Sequence, residues 1–474
     1  MQNKQWLLLF FIGILCWPCK AQDNRPNVLF IVVDDLRPTL GCYGDSIVHT
    51  PNIDALARRG VLFEKAYCQE AVCSPSRTSF LTGLRPDSTH IWDLKETFRN
   101  TQPAIVTLPQ YFKNNGYVTA SAGKIYHDPA THQDSLSWSG PVRYNVTQNA
   151  KGHKYINDKN LTGVKGAATE RENVQDTAYI DGKVAEASIE ILSQLRSQSF
   201  FLAVGFRRPH LPFSVPDQYW RIYDQVRFPL PLNQQPVEAP WLAFHDSQEL
   251  RGYMGIAKTG NISSQTKQAL WQGYYASVSY IDAQIGKLLK ALDRFKLTEN
   301  TIVVLLSDHG YHLGEQNLWG KSTNFENAVR VPLIVSAPNM KGQGVKSESL
   351  VELLDIYPTL VDYCRLPAKE DLQGITFKPS FDHPHHPGKG FAMSQFIRPY
   401  SALMGEDTIE YMGYSLRTER YRYTEWYPFN SDSIVAREIY DHVVDPQEMV
   451  NKISTADEGL LNTLHHQLRD LIKD

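Results

Sequence analysis

Residues 27–35 read Asn-Val-Leu-Phe-Ile-Val-Val-Asp-Asp. The apolar, β-branched run shows no alternation with polar residues, which is the pattern of a strand covered on both faces inside a parallel sheet. Two acids stand at its C-terminal end. Residues 301–309, Thr-Ile-Val-Val-Leu-Leu-Ser-Asp-His, repeat the design and deliver Asp308 and His309 at a second strand end. Ligands of open α/β sheets gather at the C-terminal ends of the strands, so Asp34, Asp35, Asp308 and His309 are expected to converge. Three carboxylates in one place repel one another, and a bound cation normally offsets that cost. Oxygen-rich ligation favours Ca2+ or Mg2+ over zinc, although the histidine leaves room for other ions.

Working outward, Thr50-Pro51 caps a helix that Gly60 stops, and Val61 to Tyr67 is a second strand. A helix from about Pro109 to Asn115, closed by Gly116, precedes strands at Tyr117 to Ala122 and Phe200 to Phe206. Val278, Ile281, Ile285, Leu288, Leu289, Leu292 and Phe295 recur at helical steps. Val331 to Ser336 reads as a further strand and Asp355 to Tyr363 as a helix. Strands alternating with helices predict an α/β fold: a large, mostly parallel sheet sandwiched by helices, with right-handed crossovers. After about residue 380 the texture changes. Tyr414 to Arg417 and Tyr421 to Thr424 alternate like an antiparallel hairpin, and a terminal helix runs from about Asp457 to Ile472. The division expected is a targeting segment over 1–21, a catalytic domain over 22–380 and a smaller α+β subdomain over 381–474. His383, His385 and His386, set among prolines, mark a surface loop rather than a metal site.

At 474 residues the chain exceeds the size at which one core usually keeps growing, in keeping with two domains. The formal net charge of -3 gives no global basic field, which excludes a nucleic-acid partner and leaves any anionic substrate to a local cluster. Lys4 followed by the apolar stretch Trp6 to Trp17 is too short to span a bilayer and reads as a signal peptide, with Cys19-Lys20-Ala21 as its cleavage site. Export to the periplasm, cell surface or medium follows, and no transmembrane segment is expected. Leu15 and Pro18 stand where a lipobox would want a small residue, which argues against a lipid anchor. Cleavage leaves Cys42, Cys68, Cys73 and Cys364, too few for a disulfide scaffold. A Cys42–Cys68 bridge is open to the chain, but no spacing argues for it. Cys42, Cys68 and Cys364 read as small buried apolar residues, and monomer is the default state.

Cys73 calls for another explanation. It lies in Ala71-Val72-Cys73-Ser74-Pro75-Ser76-Arg77-Thr78-Ser79-Phe80-Leu81-Thr82-Gly83, and the Cys-x-Pro-x-Arg core with its Leu-Thr-Gly tail resembles the sulfatase signature over thirteen consecutive positions. Physically, Cys73 would start a helix, where backbone N–H groups and the dipole favour anions, and Arg77 would return one turn later. Four further stretches narrow the resemblance to the iduronate-2-sulfatase-like subgroup: Gly123 to His127, Arg208-Pro209-His210-Leu211-Pro212-Phe213, Asp308 to Glu315 with Lys321 to Phe325, and Met412 to Thr418.

That resemblance implies an alkaline-phosphatase-like sulfatase fold, with metal ligands Asp34, Asp35, Asp308 and His309 completed by Cys73 after its conversion to formylglycine by a formylglycine-generating or sulfatase-maturating enzyme. Arg77, Lys124, His127, His210 and Lys321 would surround the sulfate. Tyr311 and His312 would contact substrate, while Trp92 and Asp93 either reach the pocket mouth or pack. A hydroxyl of the hydrated aldehyde would attack sulfur, His127 would assist release of sulfate, and His210, favoured because imidazole titrates near neutral pH, or Lys321 would protonate the leaving oxygen. The substrate implied is a sulfated oligosaccharide: the 2-O-sulfate of a terminal iduronic or unsaturated uronic acid in heparin, heparan, dermatan or chondroitin fragments. The alternatives are another sulfated glycan such as an algal polysaccharide, a phosphodiesterase or phosphonate hydrolase of the same architecture, and a non-catalytic glycan-binding protein.

Overall fold

Seven strands form the main sheet in a computed structural model that describes residues 25–127, 133–144, 154–161, 165–232 and 234–473. The signal peptide expected over 1–21 lies outside the described residues. In chain order the strands are β1 (Asn27–Val33), β2 (Val61–Tyr67), β3 (Val118–Gly123), β4 (Phe200–Phe206), β5 (Thr301–Ser307), β6 (Arg330–Ser336) and β7 (Val345–Glu352). They lie side by side as β7-β2-β6-β5-β1-β4-β3. Helices α1 (Pro51–Ala57), α2 (Cys73–Thr82), α3 (Leu108–Asn114), α4 (Ile180–Leu195), α5 (Ser264–Arg294) and α6 (Ile356–Tyr363) cover it.

The uninterrupted apolar run of β1 is buried throughout, because each of its faces meets a separate core. Leu29, Ile31 and Val33 pack with residues of α1, α4 and α5, while Val28, Phe30 and Val32 pack with α2, α3 and α6. Parallel neighbours set the register: Val33 stands opposite both Phe206 of β4 and Ser307 of β5. The three chains therefore leave the sheet together, placing Asp34, Arg207 and Asp308 along one edge.

The sheet is mixed in one respect. β6 runs antiparallel to both β2 and β5, whereas the other pairings are parallel. Hydropathy does not encode strand direction, and β6 looks like its neighbours in sequence. β7, an edge strand reading Val-Lys-Ser-Glu-Ser-Leu-Val-Glu, has too many polar residues to announce itself as a buried strand.

A second sheet follows, with β8 (Ala392–Arg398), β9 (Tyr411–Arg417), β10 (Tyr421–Pro428) and β11 (Ala436–Asp441) in consecutive antiparallel order. α7 (Glu458–Lys473) seats Leu464 and Leu468 against Met393, Leu416, Tyr423 and Ile439 of this sheet. Polar contacts fasten it to the first. Gln395 N–H donates to the Gln69 carbonyl at 2.7 Å, Ser394 Oγ to the Cys68 carbonyl at 2.6 Å and Asn324 Nδ2 to the Gly413 carbonyl at 3.0 Å. Two of these contacts grip the segment that leads into Cys73. All four cysteines from Cys42 onward are free thiols, and Cys42 is half-buried rather than buried.

Candidate active site

β1 ends at Asp34 and Asp35, and the chain turns sharply there: Asp35 has φ of 62°. A non-glycine residue is held in that left-handed region only when its surroundings fix it. Here Tyr274 of α5 donates its hydroxyl to the Asp35 carbonyl at 2.8 Å, and Asp308 Oδ1 accepts from the Asp35 N–H at 3.2 Å. Both carboxylates consequently face the residues arriving from β5.

Cys73 is the first residue of α2, as the sequence predicts, and its side chain is 2% exposed. Its Sγ lies 3.4 Å from Asp34 Oδ1, from His309 Nε2 and from Lys124 Nζ, and 3.7 Å from Lys321 Nζ. One turn on, Arg77 donates from Nε to Asp308 Oδ2 at 2.9 Å, from Nη2 to Asp34 Oδ1 at 3.2 Å, and from Nη1 to the carbonyls of Lys124 and Ile125. It thus ties two carboxylates to the strand end that carries Lys124. Lys124 Nζ reaches Asp34 Oδ2 at 2.6 Å and Lys321 Nζ reaches Asp35 Oδ1 at 2.8 Å.

The electrostatics follow from burying so many charges together. Burial would raise Asp34, but Lys124, His210, Arg77 and Lys321 outweigh it and hold the carboxyl well below its ordinary range. Asp35 is raised instead, by burial and by the neighbouring Asp34, Glu249 and Asp308 carboxylates, against the pull of Lys321. Burial and Asp34 push the Cys73 thiol up to about 12, so the unmodified side chain is a protonated, poor nucleophile at neutral pH.

The donor set fits a divalent cation. Ligand atoms of Asp34, Asp35, Cys73 and His210 lie within 4.8 Å of one another, as do those of Asp34, Cys73, Asp308 and His309. Asp35 Oδ2 is buried with no hydrogen-bond partner among the described residues. His309 Nδ1 donates to the Gly310 carbonyl at 3.0 Å, and burial lowers the ring to about 4, so Nε2 presents a neutral lone pair to the cluster. A third grouping, Glu326, His442 and Glu448, is already satisfied by Arg422, which pairs with both glutamates.

His210 comes to the same pocket on a turn after β4. Its Nδ1 donates to the Leu211 carbonyl at 2.7 Å and its Nε2 lies 3.4 Å from Glu249 Oε1. The expectation that this imidazole titrates near neutrality is corrected: burial, then Lys321, drives it well below the usual value. His127 lies half-buried three residues beyond Lys124.

His312 is corrected more fully. Its two ring nitrogens engage Gln316 Oε1 at 3.1 Å and Thr323 Oγ1 at 2.9 Å, it packs edge-on against Phe325, and it is fully buried away from the acids. Tyr311 is buried between Phe213 and Tyr274, with its hydroxyl unpartnered among the described residues, and no surface of it is open to a ligand. Trp92 packs on Phe429 and donates to Asp87, and Asp93 caps the turn at Lys95 and Glu96.

Glu249 was not foreseen. It sits on a short helix, Gln248–Arg251, with Oε2 3.6 Å from Lys321 Nζ, so its carboxylate stands between Lys321 and His210. Its segment, His-Asp-Ser-Gln-Glu-Leu-Arg, gives no signal that would separate it from a surface loop.

A centre of this kind suits the cleavage of an anionic ester, where a nucleophile must approach a group that is already negative; fold and site together define a hydrolase of that class. A family model described as Sulfatase matches residues 26–365, and one described as N-sulphoglucosamine sulphohydrolase, C-terminal, matches 314–474. The chain belongs to the sulfatase family and is a sulfuric ester hydrolase. It is similar to iduronate 2-sulfatase of Homo sapiens, at 36% identity over 86% of each chain, and to a sulfatase of Formosa agariphila, at 30% over 95% of this chain and 89% of that one. Among solved structures it shares its fold with a protein held in complex with its substrate D-glucosamine-2-N,6-O-disulfate. That match has a TM-score of 0.73 and 22% identity, and covers 95% of this chain and 97% of the other. Among the described residues no helix is long and apolar enough to cross a membrane.

Proposed function

We propose that this sulfatase removes the 2-O-sulfate of a terminal uronic acid, iduronic or unsaturated, from glycosaminoglycan fragments, acting from the chain end as an exported monomer. The observation that carries the chemistry is the position of Cys73 Sγ, 3.4 Å from Asp34 Oδ1, His309 Nε2 and Lys124 Nζ at once. The similarity to iduronate 2-sulfatase supports the sugar.

A maturation enzyme would convert Cys73 to formylglycine, whose hydrate supplies one hydroxyl to attack sulfur and displace the sugar alcohol, and a second that on losing its proton re-forms the aldehyde and expels sulfate with the first oxygen. Asp34, Asp35, Asp308 and His309 would hold a cation, Ca2+ before Mg2+, which supplies acidification and charge neutralisation. The chain's own side chains do the rest. Arg77 keeps Asp34 and Asp308 in place through its fork, and the ammonium groups of Lys124 and Lys321 sit where sulfate oxygens would gain negative charge. His127 accepts the proton as sulfate leaves. On the far side Glu249 holds His210 and Lys321 together, and the leaving oxygen takes its proton from this pair.

Two measurements bear on this. In a screen of defined disaccharides, sulfate is expected from 2-O-sulfated uronates and not from 6-O- or 4-O-sulfated sugars; release from the latter alone would defeat the uronate assignment. His210→Ala is expected to slow sugar-sulfate hydrolysis by about 10²–10⁴-fold. It should slow 4-nitrophenyl sulfate far less, because that leaving group needs no proton. Equal losses on both would remove His210 from the leaving-group side.

A further inference from the structure

Arg207 is the first residue beyond β4, and the register that pairs Phe206 with Val33 sets it beside Asp34 on the edge that carries the site. It is 4% exposed, its Nε is buried without a partner, and among the described residues its guanidinium makes no hydrogen bond or ion pair. A buried cation left unpaired is costly and is seldom kept without use. Its neighbour shows what a structural arginine looks like in this turn. Arg208 donates to the Ser214 carbonyl and hydroxyl and to the carbonyls of His210 and Lys154, and so braces the loop. Asp181 attracts Arg207 through space but makes no hydrogen bond to its guanidinium, its two oxygens accepting from the backbone N–H groups of Arg207 at 2.7 Å and Arg208 at 3.1 Å.

Two lysines stand in the same corner. The carbonyl of Lys154 is bound to Arg208 and Ser214, which fastens that residue to the turn, and burial together with the charges of Arg207 and Lys165 lowers its ammonium to about 8. Lys165 Nζ donates to the Glu249 carbonyl at 2.9 Å and lies 4.9 Å from the centre of the Tyr253 ring. Since Glu249 bridges His210 and Lys321, these cations flank the leaving-group side of the pocket.

We propose that Arg207, flanked by Lys154 and Lys165, is a subsite for a second anionic group on the sulfated sugar, namely the carboxylate of the uronic acid, an inference that rests on the reading above. A planar guanidinium matches a carboxylate through two parallel hydrogen bonds, which a lysine cannot reproduce. The subsite would orient the ring so that one particular sulfate meets Cys73, making sugar identity a matter of charge placement.

The test compares a 2-O-sulfated disaccharide with its counterpart reduced from carboxylate to primary alcohol, in the wild type, Arg207→Gln and Arg207→Lys. Arg207→Gln is expected to raise KM on the carboxylated substrate about 10- to 100-fold, the range for a hydrogen bond between charged groups, with kcat little changed. On the reduced substrate wild type and variant should coincide, and Arg207→Lys should recover part of the loss. A lowered Tm in Arg207→Gln, or equal losses on both substrates, would show a structural role and overturn the proposal. A third substrate carries a sulfate on the adjoining sugar; if the Arg207 effect follows that sulfate rather than the carboxylate, the assignment to carboxylate falls. If the wild type ignores 2-O-sulfated uronates but cleaves another sulfated sugar, the preceding reading fails, and Arg207 is then judged on that sugar with and without its second anion.

Discussion

Cys73→Ala is expected to lower sulfate release by roughly 10⁴- to 10⁶-fold, the range seen when a covalent nucleophile is deleted, with the fold retained. The side chain is small and its recorded contacts are to Asp34, His309 and the two lysines, so alanine leaves only a minor void. Cys73→Ser is the more searching variant. A serine hydroxyl can accept the sulfuryl group but has no second hydroxyl on the same carbon to expel it. One equivalent of alcohol should be released per enzyme, after which turnover stops. Mass analysis of the Cys73 peptide from active protein should find the aldehyde or its hydrate in place of the thiol. Full activity with an intact thiol would sink the mechanism, and a thiol raised to about 12 already makes it a poor attacking group.

The second large effect concerns the acids. Asp35→Ala should reduce turnover about 10³-fold or more, since electrostatic stabilisation at the reacting centre is commonly the largest single contribution. Chelation of the wild type should do the same, reversibly on adding Ca2+. A binding readout independent of activity is available, because a cation held only by the folded state stabilises it by about 2.7 kcal/mol at a hundred times its dissociation constant. The wild-type Tm should therefore rise with Ca2+ and that of Asp35→Ala should not. Undiminished turnover after exhaustive chelation would eliminate the cation from the reaction. The choice of Asp35 rests on its unpartnered Oδ2, whereas Asp34 is already held by Arg77 and Lys124.

Much of this was legible in the sequence, for a definite reason. Strands buried on both faces must be apolar throughout, so β1, β4 and β5 are written as unbroken runs, and polar residues at their ends stand out. Asp34, Asp35, Asp308 and His309 could be brought together from that alone, and Cys73 was placed at a helix start where the structure has it. What stayed hidden depends on direction or distance. The reversed β6 reads like its parallel neighbours, and β7 at the sheet edge is half polar. His312 lies three residues from a strand-end ligand, yet Gln316 and Thr323 hold it elsewhere. Glu249 comes from a polar segment too short to show a helical period, and Arg207 differs from Arg208 only in what its neighbours leave unsatisfied, a distinction that no sequence pattern carries.

The fastening of β8 to residues 68–70 carries a consequence for the order of events in the life of the chain. Ser394 and Gln395 bind the carbonyls of Cys68 and Gln69, a few residues ahead of a cysteine that is 2% exposed once these contacts form. The hydrogen bonds that close this region come from Ser394 and Gln395, which leave the ribosome long after Cys73. If Cys73 is converted by a separate enzyme, as proposed, that enzyme would have to reach it on a nascent or unfolded chain, before the C-terminal sheet docks. On that proposal maturation and folding would compete in time, and slowing the second sheet's arrival should raise the yield of converted protein.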